Sequence, residues 1–442
     1  MLKPLGHTAM PTSPAVTLKS AQFPQPFADG LSYSVLSCGG WPLVQTGLLL
    51  PEAHLIFVCP QNCLRGVVLV AAEMKLSQRF STVAVREQDV ISGDMERLTI
   101  DGVGEIIDHL AEKPPAVLVF TNCIHHFVGT DLEVVYQTLR QRYPEIQFTD
   151  CYMNPIMRKS GLNPEQMMRR QLYSLLTPRP KVARQVNIIG NRFPMDPHND
   201  LYQLLQHHGY TVKEVPRCET YAQYQTLAAS SLNITTLPMA QSAGTLLADK
   251  LEQPHLFLPL TFCYETITEN LKRLSDALDL PREDPAPAIA ACEAALKAAK
   301  KVIGATPIAI SFSACVYPLS LARLLIEHGF NVTKIFADSF IPTEKADFLA
   351  LQKLAPNLQL YPTSQVQMRV LPKESSGKTL AIGTEAAYFT GTRYFVNLIE
   401  GAGLYGFDGI VHLMALLQTA FLEPKAPELL NQINQRGCEC LL

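Results

Sequence analysis

The sequence predicts an α/β protein built from three parallel-sheet blocks. From about residue 31 onward, short β-branched apolar runs alternate with longer helical patterns, the signature of parallel strands joined by crossover helices. The length agrees: 442 residues exceed one ordinary domain and suggest about three at roughly 150 residues each. A third observation is that one helix–glycine–strand unit recurs, as Leu204-Leu205 through Gly209-Tyr210 and as Leu324-Leu325 through Gly329-Phe330. Glycine in that place suits a helix C-terminus.

Residues 1–30 carry Pro4, Pro11, Pro14, Pro24 and Pro26 without periodicity and read as an extended arm. The first block, 31–180, has expected strands at Leu31–Ser37, His54–Val58, Ser81–Val85, Ala116–Thr121 and Gln147–Asp150. Helical patterns lie between them at Gly66–Lys75, Val103–Glu112 and Asp131–Tyr143. The second block, 181–280, begins with a strand at Gln185–Gly190, followed by a helix at Asn199–His208. Strands at Val212–Val215, Leu232–Thr235 and His255–Pro259 and a helix at Gly244–Leu251 complete it. A Pro- and acid-rich linker, Leu280–Pro287, leads to an Ala-rich helix, Ala288–Lys301, and the third block, 281–442. Its strands are expected at Ile308–Phe312, Asn331–Ala337, Leu358–Tyr361 and Thr379–Ile382, with a closing helix at Gly409–Phe421.

Composition excludes several classes of function. Hydrophobic residues make up 47% and charged residues 17%, so the chain folds around a large core instead of staying disordered. A net charge of −3 argues against a nucleic-acid binder relying on bulk positive charge. No apolar run reaches the roughly 18 residues of a membrane helix, and the first residues lack the apolar core of a secretory signal. The expected compartment is the cytoplasm, with neither membrane nor nucleic acid as partner.

That compartment governs the 11 cysteines: a reducing milieu disfavours a disulfide framework. Cys38, Cys59, Cys63 and Cys123 all lie at or just beyond the carboxyl end of an expected first-block strand. In an open parallel sheet those ends share the edge where ligands bind. Soft thiolates converging there suit an iron–sulfur cluster. The competing readings are buried spacers or a zinc site, but zinc usually shows C-x₂-C pairs, whereas Cys59 and Cys63 form C-x₃-C. Cys151, Cys263 and Cys315 also sit at expected strand ends and read more readily as packed residues, while Cys438 and Cys440 form a thiol pair in the tail. His125 and His126 are placed to hydrogen-bond around the site, and Asn62 and Asn122, each beside a candidate ligand, are potential donors to sulfur.

Two motifs mislead. Ser376-Gly377-Lys378-Thr379 imitates the end of a phosphate loop, but Pro372 holds the place of its first glycine and a strand follows it. Gly401 through Gly406 spells G-x-G-x-x-G too near the C-terminus to open a βαβ unit, and reads as a turn before the last helix.

In this order and spacing the cysteines resemble those of the nitrogenase component 1 type oxidoreductases. That family includes molybdenum–iron protein subunits, cofactor-assembly scaffolds, dark-operative protochlorophyllide reductase subunits and the nickel-sirohydrochlorin reductive cyclase. The resemblance runs from about Cys38 to Asp408. Cys38 resembles the first cluster cysteine. Pro60 and Cys63 match a histidine-glycine-proline-x-glycine-cysteine stretch, and Cys123, followed by Gly129-Thr130-Asp131, resembles the third. Arg86 through Gly93 resembles a glutamate, aspartate-valine and glycine segment, and Gly406-Phe407-Asp408-Gly409 the glycine-tyrosine-aspartate-glycine turn. The chain departs from the family at Val58-Cys59, where histidine-glycine is expected; Cys59 is then an extra ligand or a small residue standing in for glycine. Neither the cysteine nor the histidine of the molybdenum cofactor has a counterpart, Thr236 falling near the cysteine's place.

The resemblance implies three Rossmann-like parallel-sheet domains around a central cleft. It implies an iron–sulfur cluster, 4Fe–4S or a larger P-cluster-like one, on Cys38, Cys63 and Cys123. It also implies a second component 1 type subunit in a homo- or heterodimer or tetramer, and a separate ATP-hydrolysing iron-protein-like reductase, with Arg65 a candidate docking contact. Two functions compete: a reductase subunit acting on a substrate in the cleft, and a non-catalytic scaffold for metallocofactor assembly.

Overall fold

Parallel pairing begins where the apolar runs are densest. The computed structural model describes residues 13–28, 30, 41–154, 161–371 and 377–425. The strand expected at Leu31–Ser37 lies outside them. β1 (Val16–Thr17) belongs to the arm. The first sheet holds β2 (His54–Pro60), β3 (Phe80–Val85), β4 (Ala116–Asn122) and β5 (Gln147–Met153), all parallel, in the order β3-β2-β4-β5. Nearly every residue of β2 and all of β4 are buried, which is why both read as unbroken apolar runs. Phe57 and Phe120 stack at 4.0 Å between ring centroids and tie these two strands together.

The second sheet repeats the plan with β6 (Gln185–Ile188), β7 (Thr211–Lys213), β8 (Leu232–Thr235) and β9 (His255–Phe257), ordered β7-β6-β8-β9. The third contains β10 (Pro307–Ser311), β11 (Asn331–Phe336), β12 (Gln359–Tyr361), β13 (Leu380–Ile382) and β14 (Tyr394–Val396). Its order is β1-β12-β11-β10-β13-β14, parallel throughout except for the edge strand β1. The arm therefore reaches the far block: Val16 and Thr17 pair with Leu360 and Gln359, and Leu18 is fully buried.

The recurring helix–glycine–strand unit has one geometry in both copies. Gly209 and Gly329 adopt φ of 73° and 77°. In each copy the glycine N–H and the next N–H return to the last helical turn, Tyr210 to Leu205 and Phe330 to Leu325, the bonding of a Schellman cap. Helix starts are set by local caps. Asp94, Asp131 and Asn199 each accept a first-turn N–H through the side chain.

Several boundaries differ from expectation. The helix after β2 runs Gln61–Glu73, starting directly behind Pro60 instead of at Gly66. The next long helix, Met95–His109, starts at its Asp94 cap, well before Val103. β5 continues to Met153, so Cys151 pairs with Phe120 inside the sheet and does not end a strand. β9 stops at Phe257, leaving Cys263 to cap the helix Tyr264–Ala277. The short β14 was not expected. Among the described residues, no helix is long and apolar enough to cross a membrane.

Candidate functional site

In each sheet the strand order reverses once, and ligands of open α/β sheets bind outside the carboxyl ends of the strands at that point. In the first sheet the reversal lies between β2 and β4. Cys59 is the last residue but one of β2, and Cys63 and Cys123 lie just past the ends of β2 and β4. β2 and β4 are in register from His54↔Val117 to Phe57↔Phe120. Continuing that register sets Cys59 level with Asn122. Helices then start at once on both strands, so Cys63 falls in the first turn of Gln61–Glu73 and Cys123 opens Cys123–Phe127.

The three sulfurs lie within electrostatic reach of one another. Burial pushes the Cys59 thiol up, and negative charge at Cys63 or Cys123 pushes it further. Cys63 is raised by burial and by Cys123. Cys59 is fully buried, Cys63 exposed and Cys123 in between. Thiols that oppose each other's ionisation become thiolates together when positive metal lies between them. Among the described residues no three His, Cys, Asp or Glu side chains are drawn close enough to hold a single metal ion. Cys38 lies outside the described residues, as do Cys438 and Cys440.

Asn122 is the polar centre of this edge. It is 2% exposed. Its Oδ1 accepts the Ile124 N–H at 3.2 Å, its own N–H meets His125 Nδ1, and its Nδ2 has no hydrogen-bond partner. His125 is buried, and burial lowers its pKa to about 4, so the ring is neutral. His126, Asn62 and Arg65 are exposed. Apolar side chains are exposed beside them on the cysteine-bearing helices, Phe127 at 69% together with Val68, Leu69 and Val128, and Ile91 on the helix after β3 is 77% exposed.

The reversal points of the other two sheets face each other and are filled. Asn191 and Arg192 follow β6, Thr236 and Leu237 follow β8, and Ser313 and Ala314 follow β10. The turn Glu400–Gly403 closes onto them, its Glu400 and Gly401 N–H groups bonding the Ser313 and Ala314 carbonyls. A side chain at Gly403, where φ is 86°, would strike the Pro194 carbonyl. Glu400, itself at φ 47°, lies 2.7 Å from Arg169 and 3.0 Å from Arg192. Arg169 also bonds Glu165 and the Gly190 carbonyl, and Arg192 bonds Gln45, so one node ties all three blocks. Burial opposes ionisation of Glu400, but Arg169 and Arg192 beside it bring its pKa down to about 2. The space left, lined by Asn191, Thr236 and Glu400 among others, is about 10 Å³, room for about one water.

Sequence reasoning missed this node. Arg169 and Arg192 carry no pattern, and the only signal was a glutamate at the head of a glycine-rich turn. Thr236 does line the cleft and donates to Asn191. Cys263 and Cys315 do not: Cys263 donates to Glu265, and Cys315 is packed in the core near Glu344.

Comparison with known proteins agrees with the fold. A family model described as nitrogenase component 1 type oxidoreductase matches residues 46–369, well over half of the chain. The fold is similar to the solved structure "Nitrogenase Cp1 at pH 6.5", with a TM-score of 0.66 at 14% identity, covering 89% of this chain and 94% of that one. "Nitrogenase Cp1 at pH 5" gives 0.58 at 14% identity, covering 92% and 93%. A search of curated protein sequences finds no match.

Proposed function

We infer the function from the family and the strand edge together: the chain belongs to the nitrogenase component 1 type oxidoreductases, and we propose that it is the iron–sulfur subunit of a nitrogenase-like reductase. The observation that carries this reading is the placement of Cys59, Cys63 and Cys123 within electrostatic reach of one another at the reversal point of the first sheet. Cys38, Cys63 and Cys123 would hold the cluster. Cys59, behind them and fully buried, would back the site as a packing residue or a fourth thiolate. An iron–sulfur cluster supplies one-electron storage and relay.

The chain's own residues do the rest. Burial of β2 and β4 fixes the cysteine-bearing turns. Asn122 and His125 order the polar side of the edge. The exposed apolar residues around the cysteines suit a second component 1 type subunit, which would cover the edge and complete the ligand set. Electrons would come from a separate ATP-hydrolysing iron–sulfur reductase docked over Cys63 and Cys123, and pass to a substrate admitted to the cleft between the blocks. The chain supplies no phosphate loop of its own at the two look-alike motifs. Lys378-Thr379 runs straight into β13, and Gly401–Gly406 forms the turn that presents Glu400. The cytoplasm is the compartment such thiol chemistry needs.

The test is iron content after anaerobic purification. Cys38→Ala, Cys63→Ala and Cys123→Ala should each lose most of the iron, and Cys59→Ala less. Equal iron in all four variants would overturn the assignment. ATP hydrolysis by the isolated chain would overturn the division of labour with the reductase.

A further inference from the structure

The node of Arg169, Arg192 and Glu400 leaves more bonding capacity unused than a finished ion pair would. Their side chains are 0%, 10% and 9% exposed. Both guanidinium groups meet the same carboxylate atom, Oε1, Arg169 at 2.7 Å and Arg192 at 3.0 Å. Oε2 of Glu400 has no hydrogen-bond partner, and neither has Nε of either arginine. Buried polar atoms are nearly always bonded, so three orphans in one cluster call for an explanation. Arg192 shows what is missing. Its Nη1 bonds Gln45 and its Nη2 meets Glu400, while Nε, the second prong on the Nη2 side, is empty. Arginine grips a carboxylate best with two parallel N–H donors on its two oxygens. Glu400 offers it one.

The reason lies in how Glu400 is delivered. It heads a turn in which Glu400 and Ala402 have φ of 47° and 44°, left-handed values that residues with side chains rarely adopt. Backbone bonds fasten the turn to Ser313 and Ala314 on one side and to the Asp196 N–H on the other. Such strain gathers at switch regions and ligand clamps. The space beside it, lined by Arg192, Asn191 and Thr236, lies past the carboxyl ends of β6 and β8. That is where an open sheet binds its ligand, and the chain's own carboxylate fills the place.

We propose that Arg169 and Arg192 form a binding site for a molecule bearing two or more carboxylates, with Glu400 as its displaceable internal occupant. A ligand carboxylate takes both the Nε and Nη2 donors of Arg192, and the Glu400 turn moves out, which opens the cleft. Exchanging one anion for another never leaves the buried cations bare, so a neutral or cationic molecule cannot do the same. A lone carboxylate competes poorly with a tethered one, whose effective concentration is high, and further carboxylates make up the difference. That the ligand is the molecule reduced in the cleft rests on the reductase reading given above; the binding site does not.

The experiment is calorimetric titration of the full chain with tricarballylate, a three-carboxylate probe, at fixed ionic strength. Wild type should bind it. Glu400→Gln, which removes the competing charge and keeps the side-chain shape, should bind it at least about tenfold more tightly. Arg192→Lys, which keeps the charge and loses the fork, should bind at least about tenfold more weakly than wild type. Circular dichroism checks folding, and if Glu400→Gln does not fold, wild type against Arg192→Lys decides. Equal affinity of wild type and either folded variant would overturn the proposal. Binding by Glu400→Gln with none by wild type, at about a hundred times the variant's Kd, would make Glu400 a fixed partner and overturn it too. Inorganic phosphate bound more tightly than tricarballylate would overturn the carboxylate class. Iron content is measured separately, so a chain without iron removes the reductase reading and leaves the binding result to stand or fall alone.

Discussion

The first sheet and the two that follow reach the same topological situation and resolve it in opposite ways. Each reverses its strand order once, between β2 and β4, β6 and β8, and β10 and β13, and so opens one crevice at its carboxyl ends. In the first sheet that crevice presents thiols, an unpartnered amide and a rim of exposed apolar side chains. In the second and third the crevices face each other and are stitched shut by Arg169, Arg192 and Glu400. The difference teaches where the molecule expects company. On the reading proposed above, the first edge holds groups that a cluster and a second subunit would meet. The cleft has brought cation and carboxylate together, and the Glu400 turn must move before it can admit anything larger than water.

The largest effect should come from breaking the closed side. Arg169 is fully buried, and replacing it with methionine strips Glu400 of one cation and leaves the Gly190 carbonyl without its donor. Removing one member of a buried ion pair costs about 3–5 kcal/mol, so Arg169→Met should lower the unfolding free energy by that amount in chemical denaturation. The double variant with Glu400→Gln should lose less than the sum of the two single changes, because each single change already breaks the Arg169–Glu400 pair and the double breaks it only once. A cost for Arg169→Met near zero would mean that the node does not hold the blocks together.

A second buried carboxyl in the same half of the molecule sharpens the point. Glu344 is fully buried and accepts the N–H of Leu319 at 2.8 Å, but among the described residues it has no ion pair, and one of its oxygens has no partner. Burial raises its pKa to about 8, where Glu400, with two arginines, falls to about 2. The two therefore pull stability in opposite directions with pH. Glu344 binds its proton more tightly folded than unfolded, so its contribution is complete below the ordinary carboxyl range and is lost as pH rises toward about 8. Glu400 contributes above that range and loses its share as pH falls toward about 2. Glu344→Gln should remove the alkaline loss, flattening unfolding free energy between pH 5 and 8 by a few kcal/mol relative to wild type. A wild-type profile that is already flat there would contradict the neutral, buried form of Glu344.

Much of this was legible in the residues themselves. The strands β2, β4 and β10 are built on apolar runs, and periodicity finds them because burial on both faces leaves no other pattern. The thiols that share an edge were legible because parallel topology alone brings strand ends together. Shorter elements were not: β14 spans three residues, and β1 is two residues of a proline-rich arm held by pairing with β12. Helix starts moved because caps outrank periodicity, as at Asp94. The Arg169–Glu400 node was invisible because its partners are 231 positions apart and nothing local marks an arginine for burial.

On the open side, cysteine substitutions separate packing from ligation. Cys59 is fully buried within the first core, among Leu55, Phe57 and Phe120. Cys63 projects to the surface from the first turn of its helix. Cys59→Ala should cost iron-free protein about 1 kcal/mol through lost packing, and Cys63→Ala less than about 0.5 kcal/mol, as for an exposed residue. Iron content should rank the other way. A larger stability cost at Cys63 than at Cys59 would mean that its side chain is structural and the edge is not open.

The smallest effect on the chain's own stability should come from the rim. Ile91 ends its helix turn 77% exposed and Phe127 is 69% exposed, so neither contributes packing that an isolated chain needs. Substituting both with serine should change the unfolding free energy by no more than about 0.5 kcal/mol. The same surface should matter to a second subunit, since large apolar side chains gathered around a polar site mark an interaction face. Sedimentation of wild type over a range of concentrations should show self-association, or association with a separate component 1 type chain, and the double variant should weaken it at least tenfold. Removing two large side chains from a buried interface readily costs that much, because 1.4 kcal/mol is a factor of ten in association. Unweakened association by the double variant would place the partner elsewhere, and the sulfur edge would then stand open to solvent, where a cluster lacking a ligand could not be kept.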